Sequence, residues 1–187
     1  MSAFFSITPS QIEQLVGEAA TRHGLPVPIV GAVVEHESMG GNVWAYNPEP
    51  KYRWFWDVRA GRAFRAVSGL EAACKIPPAD FKAYPGVCAD AEWWGQQASW
   101  GLMQLMGAVA RERGFTGLFL GEIYDPALNV DLGCKHLAAY ARSYLKGFGW
   151  EGVLRAYNGG PAACLKNSNP EYPEKIRKIM GGRLPDA

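Results

Sequence analysis

The 187-residue sequence predicts a mainly α-helical protein, and three observations carry that expectation. Apolar residues recur with a helical period near both ends of the chain. The recurring stretches open on cap-and-proline pairs and close on glycine, and alternation of period two is nearly absent. Thr8-Pro9-Ser10 opens the first helix, Ile12, Leu15, Val16, Ala19 and Ala20 form its inward stripe, and Gly24 ends it. A second helix runs from Pro28 to Ser38 through Ile29, Val30, Ala32, Val33 and Val34, and stops at Gly40-Gly41. From about residue 42 to 98 the pattern loses regularity. Prolines at 48, 50, 77, 78 and 85 and a high aromatic density read as an inserted lobe of loops and short helices, one of them from about Leu70 to Cys74 with Ser68 as N-cap. Periodicity resumes in a helix expected from about Trp100 to Arg113, with Leu102, Leu105, Met106 and Val109 inward. Asp125-Pro126 starts a long helix through Leu128, Leu132, Leu137 and Tyr140 to about Leu145. A shorter one spans Gly152 to Tyr157 before Gly159-Gly160-Pro161, and a last one spans Glu171 to Met180. One domain over residues 1–187, with the irregular aromatic-rich insertion at about 42–98, is the expected organisation.

Composition narrows the function classes. Hydrophobic content of 48% with 20% charged residues describes an ordinary globular chain, and a domain of this size buries roughly 70% of its unfolded surface. No apolar run approaches the roughly 20 residues that span a bilayer. The start, Met1-Ser2-Ala3-Phe4-Phe5-Ser6, has neither a basic region nor a long apolar core, so neither signal peptide nor anchor is expected there. A formal net charge of +1 argues against a nucleic-acid partner, whose footprint is normally strongly basic. Cys74, Cys88, Cys134 and Cys164 form no C-x-x-C pair, and His23, His36 and His136 fall in no metal-ligand spacing with them, so neither metal nor cofactor is expected. Four cysteines allow three disulfide pairings. Cys74 with Cys88 is the favoured one because it closes a short loop, and four reduced thiols are the alternative.

Glu37 is the leading candidate for chemistry. It lies three residues after Val34 and four after Val33, so it continues the apolar face of its helix. A carboxyl group there is partly desolvated and faces the negative end of the helix dipole, and both effects raise its pKa. A carboxylic acid kept protonated near neutral pH is what general-acid cleavage of a glycosidic bond requires. On the expected Trp100 helix, Gly101, Gln104 and Ala108 share a side suited to a cleft wall, with the Gln104 amide available to a sugar hydroxyl or acetamido group. Tyr157, followed by Asn158, offers a hydroxyl that can hold a glutamate rotamer. Ser38 is placed to cap or orient the Glu37 region, and Ser99 to begin the Trp100 helix.

Glu37-Ser38, then Gly101-Leu102-Met103-Gln104-Leu105-Met106, then Asp125-Pro126 with Asn129-Val130, then Ala156-Tyr157-Asn158 occur in that order. Together they resemble the signature blocks of the soluble lytic transglycosylase (SLT) family, over about Val27 to Pro161. The resemblance implies a lysozyme-like fold and an enzyme that cleaves the β-1,4 bond between N-acetylmuramic acid and N-acetylglucosamine in peptidoglycan. It implies Glu37 as acid and then base, Ser38, Ser99, Gln104, Tyr157 and Asn158 as substrate-side residues, Asn129 as a structural tie, and no metal. Such enzymes manage with one glutamate, because the substrate's own acetamido oxygen stabilises the cationic centre and its 6-hydroxyl closes a 1,6-anhydro ring. The Lys51-to-Asp57 run and the N-terminus are similar to those of phage-encoded members. That implies an endolysin made in the host cytoplasm and acting on the periplasmic cell wall as a monomer, with a virion-associated lysin as the variant.

Two rival readings remain. A goose-type muramidase would use water and a second carboxylate, for which Asp57, Asp80, Asp90 and Glu92 are the candidates. A non-catalytic glycan-binding or virion protein would keep only the fold. Tyr52, Trp54, Trp56, Trp93, Trp94 and Trp100 supply rings for sugar stacking or for packing, and sequence does not rank them. Arg53, Arg59, Arg62 and Arg65 lie near enough in sequence to meet stem-peptide carboxylates.

Overall fold

The computed structural model of the protein describes residues 7–186. In chain order its elements are α1 (Pro9–His23), α2 (Val27–Glu37), β1 (Tyr46–Pro48), β2 (Trp56–Asp57), β3 (Arg62–Ala63), α3 (Gly69–Ala72), α4 (Ala89–Gln96), β4 (Ala98–Trp100), β5 (Leu105–Met106), α5 (Gly107–Glu112), a 3₁₀ turn (Leu120–Tyr124), α6 (Pro126–Gly159), α7 (Pro161–Leu165) and α8 (Glu171–Ile179). The protein is mainly α, as its periodicity predicts. Among the described residues no helix is long and apolar enough to cross a membrane.

The described residues form two compact units, one of 7–42 with 133–186 and one of Val43–Leu132. In the first, α1 begins with a reciprocal capping box between Thr8 and Gln11 and ends on Gly24 at φ 66°, where a left-handed conformation suits glycine. α2 packs against α1 and α8, burying Ile29, Val30, Ala32, Val33 and Val34. The two helices expected between Pro126 and Tyr157 form one element broken at Gly149, whose φ of 60° and ψ of −173° are not helical.

The second unit gathers the irregular stretch together with the segment that follows it. Its three-stranded sheet has the order β1-β4-β5, antiparallel throughout, and β2 pairs with β3 in a separate ribbon. Ser68 caps α3 by accepting from Glu71 N, as expected. Phe55 and Trp93 stack at 3.8 Å with rings 5° apart, inside a cluster with Val67, Ala72 and Phe81. Trp93 is fully buried, so this ring packs the lobe and meets no ligand.

Two expectations are corrected here. The helix expected from Trp100 begins only at Gly107, because Ala98–Trp100 pairs across to Tyr46–Pro48 and Leu105–Met106 folds back on it as a hairpin. Gly101 at φ 67° and Gln104 at φ 43° lie outside the helical region. Leu102 and Met103 are buried one after the other in the turn, which mimics a helical stripe in the sequence. The favoured Cys74–Cys88 disulfide is absent. Both cysteines are exposed thiols, Cys74 Sγ donating to Leu70 O at the end of α3 and Cys88 forming the N-cap of α4. Cys134 and Cys164 are buried and also unbridged.

In the same unit, α4 and α5 are joined by a buried ion pair. Arg111 Nε and Nη2 donate to the two Glu92 oxygens at 2.8 and 2.7 Å, and neither side chain is more than 1% exposed. Arg111 Nη1 also donates to Phe115 O and Gly117 O, and Gln96 Nε2 donates to Glu92. The pair is tolerated away from water because its hydrogen-bonding capacity is used.

Candidate functional site

Glu37 ends α2 in the first unit, where the apolar face that buries Val33 and Val34 brings the last turn against α8. Burial pushes its pKa above the ordinary glutamate range. The hydrogen bond from Tyr172 and the charge of Lys175 pull it back without cancelling the rise. Tyr172 Oη donates to Glu37 Oε1 at 2.5 Å. The Tyr172 hydroxyl is itself raised well above the ordinary tyrosine range, first by burial and then by the Glu37 charge, so it remains a donor across the working pH range. His36 meets the Tyr172 ring edge-on at 5.4 Å, and its pKa is lowered by burial and by Lys175.

Tyr172 thus makes the kind of contact to the glutamate that was expected of Tyr157, which lies close by. The Tyr157 hydroxyl is close enough to feel the carboxylate: burial raises its pKa most, and Glu37, Cys134 and Tyr140 add to it. Its ring lies 5.6 Å from that of His136. Asn158 is exposed and accepts from Asn169 Nδ2 at 2.5 Å. No motif marks Tyr172. Its only signal in the sequence is a tyrosine heading the stripe of the last helix, four residues before Ile176.

Ser38 is fully buried and spends its hydroxyl inside its own helix end, donating to Val34 O at 2.6 Å and accepting from Gly41 N at 2.9 Å. It holds the turn after Glu37, the capping and orienting place expected of it.

In the second unit the Gly101–Gln104 turn has its own polar pair. Ser99 Oγ donates to Gln104 Oε1 at 3.0 Å, and Gln104 Nε2 donates to Gly101 O at 3.1 Å. Ser99 sits in β4 and does not start a helix. Asn129, fully buried on α6, accepts from Met103 N at 2.8 Å and donates to Trp100 O at 2.8 Å, which locks the turn from behind. Gly101 needs its φ of 67°, and a Cβ there would stand 2.5 Å from Asn129 Nδ2. Asn129 is therefore the structural tie that its place in the sequence suggested.

The four second-carboxylate candidates all lie in the second unit. Glu92 is held by Arg111 and closed to solvent. Asp80 is paired with Arg65, which also grips Glu71. Asp57 caps its turn through Arg59 N and Ala60 N, and Asp90 sits in the first turn of α4. Among the described residues no cluster of three or more His, Cys, Asp or Glu is placed to hold a metal ion. A cavity of about 290 Å³ lined by Phe148, Trp150, Arg177 and Arg183, among others, includes none of the predicted site residues.

Glu37 is a half-buried, tyrosine-held carboxyl at a helix end. The chain matches the family described as Transglycosylase SLT domain over residues 14–180, nearly its whole length, and it belongs to that family of peptidoglycan-acting, lysozyme-like enzymes. No individual curated protein matches it at a significant level.

The Tyr172 contact gives a testable expectation. Tyr172→Phe keeps the buried ring and removes a hydrogen bond that favours the ionised glutamate, so the Glu37 pKa should rise further. The alkaline limb of the pH–rate profile should move to higher pH, and the optimum rate should fall roughly tenfold as the carboxyl loses its fixed rotamer. An unchanged limb would show that Tyr172 only packs.

Proposed function

We propose that the protein is a lytic transglycosylase that cleaves the β-1,4 bond between N-acetylmuramic acid and N-acetylglucosamine and leaves a 1,6-anhydro end. The observation that carries this reading is the half-buried carboxyl of Glu37, raised in pKa and held by Tyr172. Protonated Glu37 gives its proton to the glycosidic oxygen as the C1–O bond breaks. The cationic centre at C1 is stabilised by the acetamido oxygen of the same sugar. The Glu37 carboxylate then takes the proton of the 6-hydroxyl, and that oxygen bonds to C1. Glu37 ends protonated as it began, the donated proton leaves on the departing sugar's new hydroxyl, and no water is consumed. Tyr172 and Ser38 position the acid. Ser99, Gln104, Tyr157 and Asn158 are the residues assigned to the substrate. Action at the bacterial cell wall follows from this substrate.

The muramidase alternative draws no support from three of its four candidate second carboxylates, since Glu92 and Asp80 are already ion-paired and Asp57 is spent on a turn. Digestion of purified peptidoglycan in ¹⁸O-labelled water separates the two. Anhydro ends free of label are expected. Labelled reducing ends as the main product would replace the transglycosylase reading with the hydrolase.

A further inference from the structure

The exposed aromatics of the second unit are not scattered. Tyr46 and Trp100 face each other across β1 and β4 with ring centroids 4.9 Å apart, Trp100 continues to Tyr124 at 5.2 Å, and Tyr124 to Trp44 at 5.3 Å. The inner rings are anchored. Trp100 packs on the core of Leu105, Ala110 and Ile123 and donates its Nε1 to Gly95 O at 3.0 Å. Tyr124 closes the 3₁₀ turn just before α6. The outer rings are open, Trp44 at 51% exposure and Tyr46 at 47%. The Tyr124 hydroxyl has a raised pKa, first from burial and then from the Tyr46 hydroxyl, so the two phenols lie near one another beside the indoles.

We propose that Trp44, Tyr46, Trp100 and Tyr124 form a glycan-stacking platform on the second unit that grips peptidoglycan strands; this rests on the transglycosylase reading. Each ring offers an apolar face for the C–H side of a sugar, and the phenol hydroxyls of Tyr46 and Tyr124 supply polar groups beside those faces. Alternation along β4 sends Trp100 to the face opposite Ser99, so the platform is separate from the Ser99–Gln104 pair and engages a different stretch of the strand. Rings already fixed by packing bind with little loss of side-chain freedom. A polymeric substrate is the ligand that gains from such a second grip.

The test uses the full chain carrying Glu37→Gln, so that it binds without digesting, and purified peptidoglycan sacculi as the probe. Trp44→Ala and Tyr46→Ala should each weaken retention by roughly 5- to 10-fold at unchanged melting temperature. Trp44→Phe, which keeps a ring, should restore most of it. Phe119→Ala, at an exposed ring outside these contacts, should bind like the parent. In the active protein the same Trp44 and Tyr46 changes should raise KM on long strands and leave kcat and the cleavage of the shortest fragments alone. If the wild type releases fragments yet both alanine variants bind as tightly as the parent, the platform is refuted and the reaction stands. If the wild type neither binds sacculi nor releases fragments, the transglycosylase reading falls and the subsite falls with it.

Discussion

Glu37→Gln is expected to lower the rate of fragment release by about 10²- to 10⁴-fold, roughly 3 to 5 kcal/mol of barrier, because it keeps the shape of the side chain and removes the transferable proton. Stability should move the other way. The folded pKa of Glu37 lies above its unfolded value, so the native state holds that proton more tightly. The stability this provides is fully present below the ordinary glutamate range and is lost as pH rises through the raised folded pKa. Glutamine does not ionise and escapes that loss. Near neutral pH the variant should therefore melt at or above the wild-type temperature, and the advantage should disappear in acid. A variant that keeps more than about a tenth of the wild-type rate would remove Glu37 from the chemistry.

The largest expected loss of stability lies elsewhere, at Arg111. Arg111→Ala strands the Glu92 carboxylate in a site where neither partner is more than 1% exposed, and it orphans Phe115 O and Gly117 O as well. Breaking a buried pair in this way typically costs about 3 to 5 kcal/mol. For a chain of this length that corresponds to a drop of roughly 6 to 20 °C in melting temperature, readable by calorimetry. Replacing both partners together with apolar residues should cost far less, since no charge is left unpaired. A loss under about 1 kcal/mol for Arg111→Ala would mean that the ion pair does not hold α4 to α5.

Local signals carried much of this structure. Thr8, Pro9, Gln11 and Gly24 act on backbone groups within one turn of themselves, so the ends of α1 are legible in the sequence. Glu37 is legible for the same reason: its burial follows from the apolar spacing of its own helix. The Gly101–Met106 run was misread because a tight hairpin buries consecutive residues, and its hydrophobic spacing coincides with a helical one. What decides that conformation is remote, namely the β1 pairing and Asn129, 26 residues downstream of the amide it accepts from. Tyr172 was hidden by distance too, standing 135 residues from its partner with no motif to mark it. The aromatics could not be ranked because Trp93 and Trp44 look alike in sequence. Only packing separates a ring at 0% exposure from one at 51%.

The central claim is that burial raises the pKa of Glu37 while Tyr172 holds it in place. Isotope-labelled glutamate side chains, followed by NMR across a pH series and assigned by comparison with Glu37→Gln, report that carboxyl directly. The account predicts that Glu37 titrates above the ordinary value of about 4.3, with a midpoint that coincides with the alkaline limb of the wild-type rate on peptidoglycan. A carboxyl that titrates at or below the ordinary value, in a protein still active at neutral pH, would contradict it.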